Sequence, residues 1–425
     1  MQKEHSEDKD NQQKDDDANE INDLASALQF KKSDIIKDHY KFWDTQPVLS
    51  FKDKTKIEKI GPIDNKTQLE DVKVEPYNLP KNFSWYDIDI FNSKDIKMLY
   101  EFLRDNYVED DEGMFRFDYS EEFLKWHLSA PGFLKQWHVG VLHKSDDGTS
   151  RLVGFISGIP IHITVHGNQL SLVEINFLCV NSKFRSKRLA PVLIKEITRR
   201  VNLQNIWQAV YTSGTLLPRP IAATNYYHRN LNLQKLLDIR FTYLRPQLNL
   251  ARAKKLYSLP KEVSINGLRK FETKDVPQVY ELLEKHLSKY KIRAHYSKEE
   301  IEHWFTPKDN LVYSYVVETN GVVADFFSFY LLPSSILKHD VHKMLYAAYS
   351  FFNVANSVSL KDLLKTALIV AKNEGFDVFN ALDIMDNESV FSNLLFSKGD
   401  GSLKYYLYNY SAPEVKQDEL GIVLM

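Results

Sequence analysis

The sequence predicts an α/β fold in which one order of elements occurs twice. Three observations lead there. Between residues 137 and 180, β-rich runs alternate with turn signals at Asp147-Gly148 and Gly167-Asn168. An apolar helical period follows them directly. From residue 311 onward the same order returns without obvious sequence identity. A chain of 425 residues can bury a core of that size.

Taken in order, residues 1–34 are polar, acidic and almost free of large apolar side chains, so they are expected to be a disordered tail. Folding signals begin at "DHYKFWDTQPV", where Tyr40, Phe42 and Trp43 cluster. The stretch "WHVGVLHKSDDGTSRLVGFISGIPIHITVHGNQLSLVEINFLCV" reads as an antiparallel meander. Leu193, Ile194, Ile197 and Val201 then recur at helical spacing, with Lys195, Glu196, Arg199 and Arg200 on the other face, and "IWQAVYTSG" returns as a strand. The second half has a hairpin around Asn320-Gly321, a strand "MLYAAYSFFNVA", a helix carrying Leu360, Leu363, Leu364 and Leu368 that stops at Gly375, and a strand "FDVFNAL". We divide the folded chain into halves at 35–245 and 246–425.

Composition excludes several classes. Lysine plus arginine, 55, nearly cancels aspartate plus glutamate, 57, so no global field recruits nucleic acid or an anionic membrane. The single cysteine, Cys179, allows no internal disulfide, which fits a reducing compartment, and no apolar run is long enough to span a bilayer. A cytoplasmic protein without a membrane segment is expected.

The segment "EINFLCVNSKFRSKRLAP", residues 174–191, runs from an apolar strand through four basic residues in six to a proline that opens a helical pattern. A helix amino terminus offers unpaired N–H groups and partial positive charge to a phosphate. Pro191 fits the first turn, where its missing N–H is not needed. Arg185, Lys187 and Arg188 add charge and a guanidinium fork. The plainer reading is a solvated basic loop, and its place between strand and helix argues against that. The matching segment of the second half, "NSVSL", carries no basic residue, so only the first half is expected to hold an anion.

The pattern Arg185-x-x-Arg188-x-Ala190 resembles the pyrophosphate loop of the GNAT acetyltransferase superfamily, with arginine where glycine is usual. The longer string "EINFLCVNSKFRSKRLAPVLIKEITRR" resembles a signature of the eukaryotic glycylpeptide N-tetradecanoyltransferase (N-myristoyltransferase) family. The likeness continues through "KFWDTQP", "NYVEDDEGMFRFDYS", "PGFLKQWHVGV", "AVYTSG", "YYHRNLN", "EEIEHWF", "DFFSFYLLPSSI", "EGFDVFNALD" and "SKGDGSLKYYLYNY", from about residue 35 to the end.

That resemblance implies a saddle-shaped mixed sheet of two GNAT-like halves flanked by helices, with acyl-CoA in the first half and the acceptor peptide across both. The reaction moves a C14 acyl group from myristoyl-CoA, a co-substrate, to the α-amine of an amino-terminal glycine on peptides and nascent proteins. No metal is involved, and a monomer is expected. Cofactor contacts carried over are Tyr40, Lys41, Phe42 and Trp43, then Phe177, Leu178, Cys179 and Val180, then Arg185, Ser186, Lys187, Arg188, Leu189, Ala190 and Pro191, with Thr198. The N–H groups of Phe177 and Leu178 face the thioester oxygen, the α-carboxylate of Met425 is the base, and Asn176 and Thr212 stand near it. The peptide is met by Tyr107, the acidic Glu109, Asp110 and Asp111, then Tyr119, Asn176, Thr212, Gly214, Tyr226, His228, Ser334, Tyr349, Asp400 and Leu424. The family's strings usually have valine at Leu189.

Chemistry agrees, because an α-amine of pKa about 7.7–8.0 is roughly one-eighth neutral at pH 7 and attacks without an enzymic nucleophile. Cys179 has no visible histidine partner. "HKSDD", His143 to Asp147, fits the H-x-x-x-D pattern of another class of CoA acyltransferase but runs into a hairpin turn. An acidic run such as 109–112 is ordinarily a solvated face, and His228 is equally readable as a structural histidine. A short-chain acetyltransferase would share the phosphate loop, and a nucleic-acid binder would use its charge; the neutral balance argues against the latter. The apolar ending "GIVLM" after "KQDEL" suggests a buried terminal strand, and a buried free carboxylate needs a partner or a task.

Overall fold

The computed structural model describes residues 41–51, 59–110, 112–244 and 246–425, with the side chain of Ser186 left out. The expected tail at 1–34, Tyr40 and Asp111 lie outside them.

In chain order the first half contains β1 (Phe83–Asp87), α1 (Ser93–Asn106), β2 (Phe115–Phe117), α2 (Glu121–Leu128), β3 (His138–Lys144), β4 (Ser150–Val165), β5 (Asn168–Val180), α3 (Leu189–Asn202), β6 (Ala209–Ser213) and β7 (Ala222–Asn230). There follow α4 (Leu233–Asp238), α5 (Leu250–Leu256), β8 (Leu268–Lys270), α6 (Val276–Leu287), β9 (Ile292–His295), α7 (Lys298–Phe305), β10 (Val312–Thr319) and β11 (Val322–Leu331). The chain closes with β12 (Ser334–Ile336), β13 (Met344–Leu345), β14 (Ala347–Val354), α8 (Leu360–Asn373), β15 (Val378–Leu382), α9 (Glu388–Phe391), β16 (Ser397–Tyr408) and β17 (Leu420–Gly421).

The expected meander is β3-β4-β5, antiparallel throughout. The main sheet runs β1-β3-β4-β5-β6-β16-β7-β15-β14-β11-β10-β8, and the repeated order is visible in it. β5, α3 and parallel β6 in the first half answer to β14, α8 and parallel β15 in the second. A crossover helix is what a parallel neighbour requires. At the centre the halves exchange strands: β16 lies against β6, and β7 lies against β15. A cut at 245/246 therefore leaves one exchanged strand on each side.

The helix stripes read from sequence face inward. Leu193, Ile197 and Val201 pack with Val139, Val141, Val153 and Val173, while Leu363, Leu364 and Leu368 pack with Phe327, Phe329 and Phe379. Gly375 ends its helix at φ +86°, where residues with a Cβ are strained. The opposite face of α3 departs from expectation. Glu196 is fully buried, and Arg199 and Arg200 nearly so, because Glu196 binds both guanidinium groups at 2.6 and 2.8 Å. Arg200 also reaches Asp87 and the Gln136 carbonyl, Arg199 reaches the Val74 carbonyl at 2.8 Å, and the Tyr77 N–H donates to Glu196. Lys195 is exposed, as a charged face should be, but the other three residues of that face form a buried ion-pair network tying the incoming chain to α3.

Candidate active site

β5 and β6 pair in parallel only through Val173–Ala209, Glu174–Val210 and Ile175–Tyr211. Beyond that they part, so Asn176 and Thr212 are the first residues on opposite lips of a split in the sheet. On its other edge β5 also slips. Phe155 of β4 faces Cys179 and Ser157 faces Asn176, which leaves one extra residue on β5. The bulge centres on Phe177 at φ +54°, a conformation that costs a non-glycine residue about 1–3 kcal/mol. Packing holds it there, since the fully buried Phe177 ring contacts those of Tyr107, Tyr119 and His127 at centroid distances of 5.8, 5.0 and 5.3 Å.

A cavity of about 600 Å³ opens at this split. Ile156, Val173, Ile175, Ile194, Ile197 and Val201 line it with apolar surface interrupted by Thr198 and Asn202. Tyr107, Tyr119, Tyr226 and His228 of the first half and Ser334 and Tyr349 of the second line its opposite side, and Leu178, Thr212, Gly214, Leu424 and Met425 stand between. Trp43 covers the split, stacked on Tyr211 at 5.7 Å with rings 6° apart, while the Phe42 ring meets Trp43 edge-on. This segment is pinned by Tyr408, whose hydroxyl donates to Gln46, and by the Asn409 N–H on the Pro47 carbonyl, both at 2.9 Å. Lys41 is exposed and does not line the cavity.

The basic segment is a 3₁₀ turn, Ser182–Lys187, started by the Asn181 side chain, and α3 begins at Leu189 with Pro191 in its first turn. Arg188 joins them at φ +57°. That backbone explains why glycine is usual there in the superfamily pattern. Among the described residues no side chain caps the α3 amino terminus. Lys187 and Arg188 are exposed, whereas Arg185 is partly committed, donating to the Asn106 carbonyl at 2.8 Å and the Val180 carbonyl at 3.2 Å. Cys179, Val180 and Leu189 are buried beneath, with Ala190 partly so, and burial pushes the Cys179 thiol up to about 12. None of these lines the cavity.

The carboxy terminus enters from the second half. β17 pairs in parallel with β9 over two residues, shorter than the terminal strand expected from sequence, and Ile422, Val423 and Leu424 continue buried without a ladder. The Tyr405 hydroxyl donates to the Ile422 carbonyl at 3.3 Å. The Asn176 Nδ2 donates to the terminal oxygen of Met425, and its Oδ1 accepts the Phe177 N–H at 2.8 Å. His127 lies 3.5 Å from the same Nδ2, and burial pushes it down to about 3, so it is neutral.

Across the cavity, His228 Nδ1 meets Asn380 Oδ1 at 2.6 Å, and burial lowers its pKa against the opposing pull of Asn380 and of Asp400. Asp400 is exposed and outside the lining. Gly399 admits the ring, because a Cβ there would lie 2.1 Å from His228 Nε2. Gly214 accepts Lys404 Nζ at 2.6 Å, and Ser334 pairs with Phe117 between β12 and β2. Glu109 binds Arg116. Asp110 accepts the N–H groups of Met114 and Phe115, each at 2.7 Å, so its carboxylate shapes the turn as well as charging it.

Trp207, Tyr211, Tyr330, Asn380 and Phe117 also line the cavity and were not picked out from sequence. Tyr211 was within reach, since strand alternation puts it on the face of Ala209. The others depend on long-range packing.

Two family models match almost end to end. The N-terminal domain of myristoyl-CoA:protein N-myristoyltransferase covers residues 62–224 and its C-terminal domain residues 238–423. The glycylpeptide N-tetradecanoyltransferase of Plasmodium falciparum is 48% identical over 403 residues, spanning 95% of this chain and 97% of its own. That of Dictyostelium discoideum is 49% identical over 404 residues, spanning 94% and 95%. The crystal structure of Saccharomyces cerevisiae N-myristoyltransferase with bound myristoyl-CoA superposes with a TM-score of 0.88 at 39% identity, covering 96% of this chain and all of that one.

Proposed function

This chain belongs to the myristoyl-CoA:protein N-myristoyltransferase family and is an acyltransferase that uses myristoyl-CoA, and from that premise we propose how its residues carry out the transfer. The acyl chain occupies the apolar lining between β5 and α3, and the CoA phosphates meet the α3 amino terminus with Lys187, Arg188 and the remaining N–H groups of Arg185. Trp43 closes over the split. The glycine amine approaches between Asn176 and Thr212, with the rest of the peptide among Tyr107, Tyr119, Tyr226, His228, Ser334 and Tyr349. Asp400 acts on it through His228.

The Met425 carboxylate accepts a proton from the glycine ammonium. The neutral amine then forms its bond to the thioester carbon, charge develops on the carbonyl oxygen, and as the C–S bond breaks the departing CoA sulfur takes the second amine proton, leaving the amide and the CoA thiol. Backbone N–H groups of Phe177 and Leu178 stabilise that oxygen. Such a donor contributes about 10² to 10³ in rate. The bulge supports this role because it takes both residues out of the strand ladder. In the free enzyme the Phe177 N–H is occupied by Asn176 Oδ1, so the substrate oxygen competes for it. We place the division into halves near residue 245, and take the working unit to be a monomer.

The observation that carries this reading is the terminal carboxylate of Met425 held by Asn176 beside that bulge. Incubation with myristoyl-CoA and a Gly-x-x-x-Ser peptide, followed by mass spectrometry, tests the transfer. One myristoyl group on the α-amine supports it, and an unmodified peptide rejects it.

A further inference from the structure

Glu174 is a buried titratable residue of this neighbourhood that the transfer scheme leaves unused. It lies on β5 two positions before Asn176, so both side chains leave the same face of the strand. Its backbone is fixed on both edges, paired to Ile159 of β4 and to Val210 of β6. The residue is 6% exposed, and its Oε1 has no hydrogen-bond partner among the described residues. An isolated buried carboxylate is costly, and a residue of this kind is kept neutral or given a task.

Among the described residues, the groups around it supply no cation. Tyr296 faces it from just before α7, Tyr330 from β11 and Tyr405 from β16. His127 of α2 reaches the shared Asn176 and is neutral, and beyond Asn176 lies the Met425 carboxylate. The Asn176 amide thus stands between two carboxyl groups. When two such groups share a site, only one ionises readily. The terminal carboxylate faces the cavity and Glu174 does not, which makes Glu174 the one that keeps its proton.

We propose that Glu174 is a positioning residue for the transfer reaction, setting the orientation of the Asn176 amide and, through it, of the Met425 carboxylate. This rests on the mechanism proposed above. The protonated acid adds no charge beside the base and leaves the Asn176 N–H to Met425. Once ionised, Glu174 competes for that N–H and sets a second negative charge against the terminal carboxylate. Burial pushes the Glu174 carboxyl up to about 8, against the opposing pull of the nearby Asn176 amide, so this loss falls in the alkaline range.

The test is the single-turnover rate as a function of pH for the full chain and for Glu174→Gln and Glu174→Ala, each with saturating myristoyl-CoA and a glycine peptide. The wild-type rate should rise as the amine deprotonates and fall again above about pH 8, whereas Glu174→Gln, normalised to its own maximum, should rise and stay level. At pH 9 the two normalised rates should differ by about tenfold, the expected loss one unit above a titrating group. Glu174→Ala should slow the step tenfold or more with acyl-CoA affinity unchanged, and Gln should restore more than half of that loss. A Glu174→Gln profile that tracks wild type at every pH overturns the role of Glu174 while leaving the transfer mechanism standing. A wild type that transfers nothing overturns both. Should Glu174→Ala fail to fold, the Glu174→Gln profile decides alone.

Discussion

The amide of Asn176 donates a hydrogen bond to the terminal oxygen of Met425, a residue 249 positions further along the chain. That bond closes the site. Asn176 belongs to the strand whose bulge turns Phe177 and Leu178 out of the ladder, and Met425 ends a run anchored by β17 on β9 and by the Tyr405 hydroxyl. Any change that lengthens or shortens the carboxy terminus moves the carboxylate relative to the bulge.

Arg188 has a φ of +57°, so its side chain and its backbone make opposite demands. Arg188→Gly should be more stable than Arg188→Ala by about 1 kcal/mol, because only glycine adopts that backbone without strain. Both should raise the KM for acyl-CoA about threefold to tenfold by removing a charge, with peptide KM unchanged once cofactor saturates. Thermal melts and steady-state kinetics check the two halves. Equal melting temperatures, or a change confined to peptide KM, would reject the assignment.

The acidic loop separates into a structural and an electrostatic residue. Asp110→Ala should weaken all peptides alike, since one oxygen of its carboxylate holds two N–H groups of the turn. Glu109→Gln should weaken peptides carrying a lysine by about 1 kcal/mol and spare neutral ones, because a substrate cation competes with Arg116 for that carboxylate. Kinetics with paired lysine and alanine peptides decide it.

Burial pushes the Glu196 carboxyl up, but hydrogen bonds from Arg199 and Arg200 outweigh it and hold it below the ordinary 4.5. A depressed carboxyl stabilises the fold above its unfolded value and loses that contribution as pH falls through the folded one. Glu196→Gln should cost about 3 kcal/mol at pH 7, where two buried guanidinium groups lose their partner. The gap to wild type should narrow below about pH 4. Melts across pH 3 to 7 that stay parallel would contradict this.

Gly399 is needed by His228, whose Nε2 would lie 2.1 Å from a Cβ there. Gly399→Ala should displace the ring from Asn380 and raise peptide KM about tenfold, with acyl-CoA affinity unchanged. Titration calorimetry with each substrate separates the two.

Much of this was readable in advance because it is local. Alternation gave the meander, helical spacing gave the inward stripes of α3 and α8, and the string from Glu174 to Pro191 carried the family resemblance. The strand exchange of β7 and β16 was not readable, since element order does not say which neighbour a strand takes in a sheet. Nor was the bulge, because Phe177 adopts a left-handed backbone with no glycine to mark it. Glu196, Arg199 and Arg200 repeat at the spacing of an exposed charged face and are buried because the chain from Lys73 to Tyr77 covers Glu196 and Arg199 while Asp87 and the Gln136 carbonyl hold Arg200. Glu174 and His127 gain their meaning from a terminus far away in sequence.

The most direct test of the central claim, that the Met425 carboxylate is the base, is the single-turnover rate of a chain extended by one glycine at its carboxy terminus. The extension keeps every side chain and removes only the free carboxylate from its place against Asn176. The rate should fall by at least a hundredfold at pH 7 while acyl-CoA binding is unchanged, and the loss should shrink toward pH 9 as the substrate amine loses its proton unaided. An extended chain that turns over at the wild-type rate at pH 7 would contradict the account.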